Sequence, residues 1–267
     1  MKKTLLALAA AVLCLVPALA RAERLTDKEL EKLISRIASE EDRFRDALDP
    51  QMKKAIYRGP TGEVNVERAL EDFSDAAEKL EDRYKKDYSA STEAADFLRK
   101  ATAIDAYFKR DQAATRGESE WNRFAENLKV LAAAYGTAFP MPAGAPVRRI
   151  GDKELVAAAE GLARDADRLK KAVDTGLKQD KSIDKTTREA SVRDIDLLKN
   201  DARALKSAVA DGKPATATAT QLLGRVAKVE ESLGRTPVPA ASPILGVLGG
   251  KASLVAQAFG MSSPPAR

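Results

Sequence analysis

Residues Arg149 to Asp174 align without a gap on Arg24 to Asp49, at a constant offset of 125 positions, and ten of the 26 pairs are identical. Asp27-Lys28-Glu29-Leu30 returns as Asp152-Lys153-Glu154-Leu155, and Asp42-Arg43 returns as Asp167-Arg168. Ile37/Leu162, Phe44/Leu169 and Leu48/Val173 keep an apolar face at helical spacing. Unrelated helical sequences of similar composition share far fewer positions, so duplication of a helical unit is the economical explanation.

Helical periodicity runs nearly throughout, and no stretch carries a run of alternating apolar residues. The fold class expected is all-α: tandem antiparallel bundles, a four-helix bundle over 23–136 followed by a related three-helix unit over 149–235. The first helix opens on the capping box Thr26-x-x-Glu29 and presents Leu30, Leu33, Ile34, Ile37, Phe44 and Leu48 on one face, until Asp49-Pro50 ends or kinks it. After the Gly59-Pro60-Thr61-Gly62 turn, Asn65 caps a second helix buried through Leu70, Phe73, Ala76, Leu80 and Tyr84. A third follows the Ser89-Ala90-Ser91 break, with Phe97, Ile104 and Phe108 inward. The fourth, after Gly117, places Trp121, Phe124, Leu128, Leu131 and Tyr135 at spacings of three and four, which marks Trp121 as a core residue.

Three prolines and two glycines between Gly136 and Val147 exclude helix there, so 137–148 is a linker. The second unit continues with a helix from about Ile183 to Ala210, whose Ile195-Asp196 resembles Ile104-Asp105, and one after Gly212-Lys213-Pro214 carrying Leu222, Val226, Val229 and Leu233. No segment corresponds to the helix at 65–88. The aromatic residues of the first unit have only aliphatic counterparts, so the second is expected to be the less stable half. The tail 236–267 carries apolar residues but also Gly246, Gly249 and Gly250, and is expected to be partly disordered, or docked as a strand or short helix on the second unit, or else a surface or partner contact.

Residues 1–22 have the three parts of an export signal: Lys2-Lys3, the apolar run Leu5 to Val16, and the small-x-small site Ala20-Arg21-Ala22. The apolar run is too short for a retained span, and Cys14, inside it after Leu13, does not fit a lipid-modification site. Cleavage would start the mature chain at Glu23, leave no cysteine, and lower the formal net charge from +5 to +2 by removing Lys2, Lys3 and Arg21. The short basic start and Ala-rich signal suit a bacterial periplasmic or secreted protein, and a mid-sized periplasmic protein needs no disulfides.

Lys and Arg alternate with Asp and Glu, as in Glu78-Lys79-Leu80-Glu81-Asp82-Arg83, which describes solvated helix faces and leaves no electropositive stripe for nucleic acid. With no histidine anywhere, the Glu-x-x-His pairs of di-metal bundles are absent and haem lacks its usual axial ligand, leaving Met52, Met141 and Met261 in expected loop or tail regions. Gly246-x-x-Gly249-Gly250-Lys251 has the wrong spacing for a phosphate loop. Ser182-x-x-Lys185 lacks the partner motifs of penicillin-recognising enzymes, and Ser182 reads better as a helix cap. Glu40-Glu41-Asp42, Asp72 and Asp75 lack metal-ligand patterning, and Asp180-x-x-x-Asp184 lacks calcium-loop spacing. Asp42-Arg43 and Asp167-Arg168 lie beside the buried stripe, placed to bridge to neighbouring helices. No catalytic, cofactor or metal residue is assigned. The function expected is non-enzymatic binding or scaffolding of a protein or envelope partner, through a groove in the incomplete second unit or at the joint between units. The rivals are a carboxylate-only envelope hydrolase and a holdase-like chaperone.

Overall fold

The computed structural model describes residues 23–261 except 49, 60–61 and 111–116; the expected signal at 1–22, with Cys14, and the end of the tail, 262–267, lie outside the described residues. The protein is all-α. Helix α1 (Asp27–Ala47) forms the expected capping box: Glu29 N–H donates to the Thr26 hydroxyl at 3.3 Å and Thr26 N–H to the Glu29 carboxylate at 2.8 Å. A short α2 (Pro50–Lys53), which contains Met52, leads to an antiparallel hairpin, β1 (Ile56–Gly59) and β2 (Gly62–Asn65), in register Ile56 to Asn65. Four residues a side are too few for a periodic sequence signal, so only the intervening turn is visible beforehand. Asn65 then caps α3 (Val66–Asp87) by accepting Arg68 N–H at 3.0 Å. Helices α4 (Ser91–Arg110) and α5 (Glu118–Ala134) complete the first bundle, with α1 against α3 and α5, and α3 against α4.

Its core is aromatic. Phe73 stacks on Phe97 at 4.9 Å between centroids, and Phe44 and Phe124 close on Trp121 at 5.0 and 5.6 Å. Trp121 is 2% exposed and donates its indole N–H to the buried Asp105 at 3.1 Å, a core role as the spacing predicts.

Helices α6 (Asp152–Gln179), α7 (Lys185–Ala210), α8 (Thr216–Arg235) and α9 (Ser242–Ala258) surround a second, separate core. Helix α6 packs on α7 and α9, α7 on α8, and α8 on α9. This corrects the expectation of a three-helix unit. By packing order α7 stands where α3 stands in the first bundle, α8 where α4 stands, and α9 where α5 stands, so the Ile195/Ile104 correspondence does not hold. Of the readings of the tail, the docked helix holds and the loose chain does not: as far as Met261 it is a 3-10 turn (Pro239–Ala241) and a 17-residue helix. Glycine content misleads here because Leu248, Ala252, Val255 and Ala256 are all fully buried, and that burial outweighs about 1 kcal/mol of propensity per glycine. Pro239–Ala258 is long and apolar enough to cross a bilayer by length and composition alone, and 28% of that apolar stretch is buried in the fold; within it Lys251 is ion-paired to the buried Asp165 of α6. Gly161 makes room for that lysine, since a Cβ there would lie 2.8 Å from the Lys251 Cε.

Helices α5 and α9 end alike. At Tyr135-Gly136 and Phe259-Gly260 each glycine takes a positive φ, 70° and 59°. Gly136 and Thr137 N–H return to the Ala133 and Ala132 carbonyls, as Gly260 and Met261 N–H return to those of Gln257 and Ala256. The segment 137–148 is non-helical as read, but it is a packed strap rather than a free spacer. Phe139 is 8% exposed on the first core, Met141 N–H donates to the Thr102 hydroxyl at 2.8 Å, and Arg148 N–H returns to the Tyr135 carbonyl at 3.1 Å.

Candidate functional site at the joint between the bundles

The N-termini of α1 and α6 meet, and the residues that meet are those of the repeated Arg-x-x-Asp. Asp27 N–H donates to the Asp152 carboxylate at 2.8 Å while Asp152 N–H donates to the Asp27 carboxylate at 2.9 Å, a reciprocal exchange between positions 125 apart. Arg24 pairs with Asp152 at 2.5 Å and also donates to the Ile150 carbonyl. Arg149 pairs with Asp27 at 2.8 Å and also donates to the Leu25 carbonyl. Each arginine thus binds the other copy's aspartate and the backbone just before it, as in an isologous two-fold contact. The chemistry requires this arrangement. Two helix N-termini each carry about half a positive charge and would repel, and a carboxylate at each first turn offsets them while the arginines neutralise the carboxylates.

The clasp is not equally buried on its two sides. The Arg149 side chain is 2% exposed against 9% for Arg24, and the carboxylates are 12% exposed at Asp27 and 23% at Asp152. Tyr84 and Tyr135 enclose the Arg149 side; Tyr84 donates to the Asp27 carbonyl at 3.3 Å, and burial pushes both phenols above their ordinary pKa, so they stay protonated.

Beside the clasp is a cavity of about 480 Å³, within the size range of small-molecule sites. Its wall comes in matched pairs: Glu23 and Arg148, Arg24 and Arg149, Leu25 and Ile150 from the segments before α1 and α6, then Tyr135 and Phe259, Gly136 and Gly260 from the ends of α5 and α9. Val130, Ala133 and Ala134 extend the α5 wall and Gln257 and Ala258 the α9 wall, with Pro146 from the strap. Val130 is 45% exposed, one of the few large apolar side chains left so open. The Arg24 guanidinium sits 6.0 Å from the Phe259 ring centre. Glu23 caps the far bundle: its carboxylate accepts Ala215 and Thr216 N–H at 2.7 and 3.0 Å at the start of α8, which has no side-chain cap of its own. Partial burial raises the Glu23 pKa, and those hydrogen bonds outweigh it and hold the carboxyl below its usual value.

The residues weighed from sequence lie elsewhere. Lys251 is inside α9, and Ser182 is not the cap of α7: Asp184 is, accepting Thr187 N–H at 2.9 Å, while Ser182 donates to Asp180 in the preceding turn. Two carboxylates in series before the helix make the nearer one the cap, which is why the serine misleads. Among the described residues, Asp167 bridges to Lys199 of α7 at 2.7 Å, whereas Asp42 reaches only Arg45 on its own helix at 3.6 Å and Arg168 only Asp165 at 3.6 Å, so the expected inter-helix bridging is seen for one of these pairs. Glu40 accepts from Asn127 at 2.6 Å, Asp72 is exposed, and Asp75 lies 4.0 Å from Lys79. Among the described residues no three His, Cys, Asp or Glu side chains gather to hold a metal ion. The clasp itself escapes sequence reading, although its signal is present: Arg and Asp three apart, repeated at the same offset.

Glu41 is the acid whose chemistry stands out. It is 2% exposed inside the first bundle, one carboxylate oxygen accepting from Ser74 at 3.1 Å and the other unpartnered. Burial raises its pKa, against the opposing pull of Ser74 and Arg45. A raised folded pKa means the charged form is a burden in the fold at neutral pH, lifted as pH falls through that pKa. Glu41→Gln is therefore expected to stabilise the protein by about 1 kcal/mol at pH 7, with the gain gone by about pH 4, where the native carboxyl is protonated too. Thermal unfolding at the two pH values checks it, and an equal effect at both would contradict a buried, charged Glu41.

Comparison with protein-family models, curated proteins and solved structures finds no match to this chain.

Proposed function

We propose that the chain is an exported, non-enzymatic binding protein of the bacterial envelope, made of two copies of one four-helix bundle, and that it holds its partner in the cleft between them. The observation that carries this reading is the cleft wall of matched pairs, where positions about 125 apart face a common space. Structural clasping alone needs Arg24, Asp27, Arg149 and Asp152. It gives no reason for an open apolar surface at Val130 or for the arginine over Phe259. Packing order supports the duplication beyond the 26 aligned residues, because α9 ends on Ala258-Phe259-Gly260 as α5 ends on Ala134-Tyr135-Gly136. The hydrolase alternative gains no support at this place. It needs two free carboxyls about 5–10 Å apart, and the wall acid Glu23 is engaged by two amides, while Asp27 and Asp152 are each bound by an arginine and a backbone N–H.

The test is site-specific photo-crosslinking in cells, with a benzophenone amino acid at Val130 and, as control, at the exposed Lys79 on the outer face of α3. A discrete adduct from position 130 only, on a protein recovered from the envelope fraction with Glu23 as its first residue, is the expected result. Equal labelling from both positions, or an unprocessed protein in the cytoplasm, would sink the proposal.

A further inference from the structure

We infer that the cleft takes a single-chain aliphatic carboxylate, a fatty acid, and that its cationic end is completed by the α-ammonium group freed on Glu23 when the chain is cut after Ala22. This rests on the reading just given, of an exported chain whose binding site is the cleft. Apolar wall is supplied by Leu25, Val130, Ala134, Ile150, Ala258 and Phe259. Three carbonyls along it are already engaged: that of Leu25 by Arg149, that of Ile150 by Arg24, and that of Tyr135 by Arg148 N–H. A bound peptide would need partners for its own N–H and C=O groups at each buried residue, and an acyl chain needs none. The wall therefore favours hydrocarbon.

Charge decides the other end of the ligand. Arg24 and Arg149 are neutralised within the clasp, and the Glu23 carboxylate is held by the first amides of α8. The carbonyl ends of α5 and α9 are closed by their own glycine turns. Among the described residues, the wall charge that remains is Arg148, 51% exposed and tied to the exposed Glu154 at 3.1 Å, a pair of little strength in water. Glu23, the counterpart of Arg148 at the 125-residue offset, contributes a second cation once its amino group is free, because an α-amine is protonated at neutral pH. Two cations next to an apolar cleft complement a carboxylate carried on a hydrocarbon chain. Export processing would then switch the site on.

The experiment is competition of laurate and of lauryl alcohol against a dansyl-aminoundecanoic acid probe, on protein beginning at Glu23. Laurate is expected to bind about tenfold more tightly than the alcohol, the worth of one charge-assisted hydrogen bond. Arg148→Gln, and separately retention of Ala22 with its amide bond to Glu23, should each weaken laurate several-fold and leave the alcohol unchanged. Ala134→Trp, filling the cleft, should abolish both, and Val130→Glu, at an exposed position that does not threaten the fold, should weaken laurate more than the alcohol. Equal affinity for acid and alcohol would overturn the carboxylate inference and leave cleft binding standing. Failure of both to bind, or displacement of the probe by an apolar peptide in preference to laurate, would overturn the fatty-acid assignment, while the Val130 crosslink judges the binding reading separately.

Discussion

Asp27→Ala is expected to cost about 3 kcal/mol of stability, and Asp152→Ala clearly less, although the two residues are counterparts in the repeat. Asp27 accepts from the Arg149 guanidinium and from Asp152 N–H, and its loss leaves Arg149, whose side chain is 2% exposed, as a charge in low dielectric beside neutral groups such as the Leu25 carbonyl and the Tyr84 and Tyr135 phenols. Asp152 is 23% exposed and its partner Arg24 9%, so water takes up more of the loss there. The burial difference, not the sequence, sets the order. The double variant Asp27→Ala/Arg149→Met should lose less than Asp27→Ala alone, because the uncompensated charge goes with its partner. Urea unfolding followed by circular dichroism reads all four proteins. Equal costs at the two aspartates, or a cost at Asp27 below about 1 kcal/mol, would mean that the joint is hydrated in solution and the clasp is a surface ion pair.

That asymmetry also bears on function. A clasp equally strong on both sides would only fix the two bundles, whereas this one is firm at Arg149, beneath Tyr84 and Tyr135, and looser at Arg24, which sits by the cleft and over Phe259. The N-terminal segment joins the same system, since Glu23 reaches α8 and Arg24 reaches α6, so two consecutive wall residues tie the segment before α1 to the second bundle.

Most helices were legible because each buries a stripe wide enough to set its period: Leu30, Leu33, Ile34 and Ile37 on α1, or Trp121, Phe124, Leu128 and Leu131 on α5. The repeat was legible too, though its meaning was not. Identity at Arg24, Asp27, Arg149 and Asp152 reads as kinship, and only juxtaposition of two helix starts reveals that these residues are matched because they bind each other. Helix α9 was legible only as one of several readings. Its glycines speak for loose chain by local propensity, whereas α6 offers it a fitted face with Gly161 opposite Lys251, and the docked reading holds. Helix α7 packs as α3 does but carries Ile195, Leu198 and Leu205 where α3 has Phe73 and Tyr84, so the likeness lies in packing order and not in residues.

Truncation after Arg235 is expected to unfold the second bundle and spare the first. Removing α9 takes away fully buried Leu248 and Val255 with Ala252 and Ala256, strips the α6 face that carries Gly161, and leaves the buried Asp165 without Lys251. At roughly 1.5–3 kcal/mol for each large apolar side chain, counted on both sides of the contact, the loss approaches the 5–15 kcal/mol that holds a whole domain. The first core shares none of these residues. Trp121, the single tryptophan, is buried there against Phe44, Phe124 and Asp105, so its emission should stay blue-shifted while far-UV circular dichroism falls. Light scattering on the truncated protein should show association, because an apolar stripe of α6 is now bare. A gentler variant, Leu248→Ala, should cost about 3 kcal/mol and lower only the transition that leaves Trp121 emission unchanged. If the truncated chain instead keeps its full helical signal as a monomer of unchanged stability, then α9 is peripheral in solution, the second bundle closes with three helices, and the cleft loses its Phe259 wall.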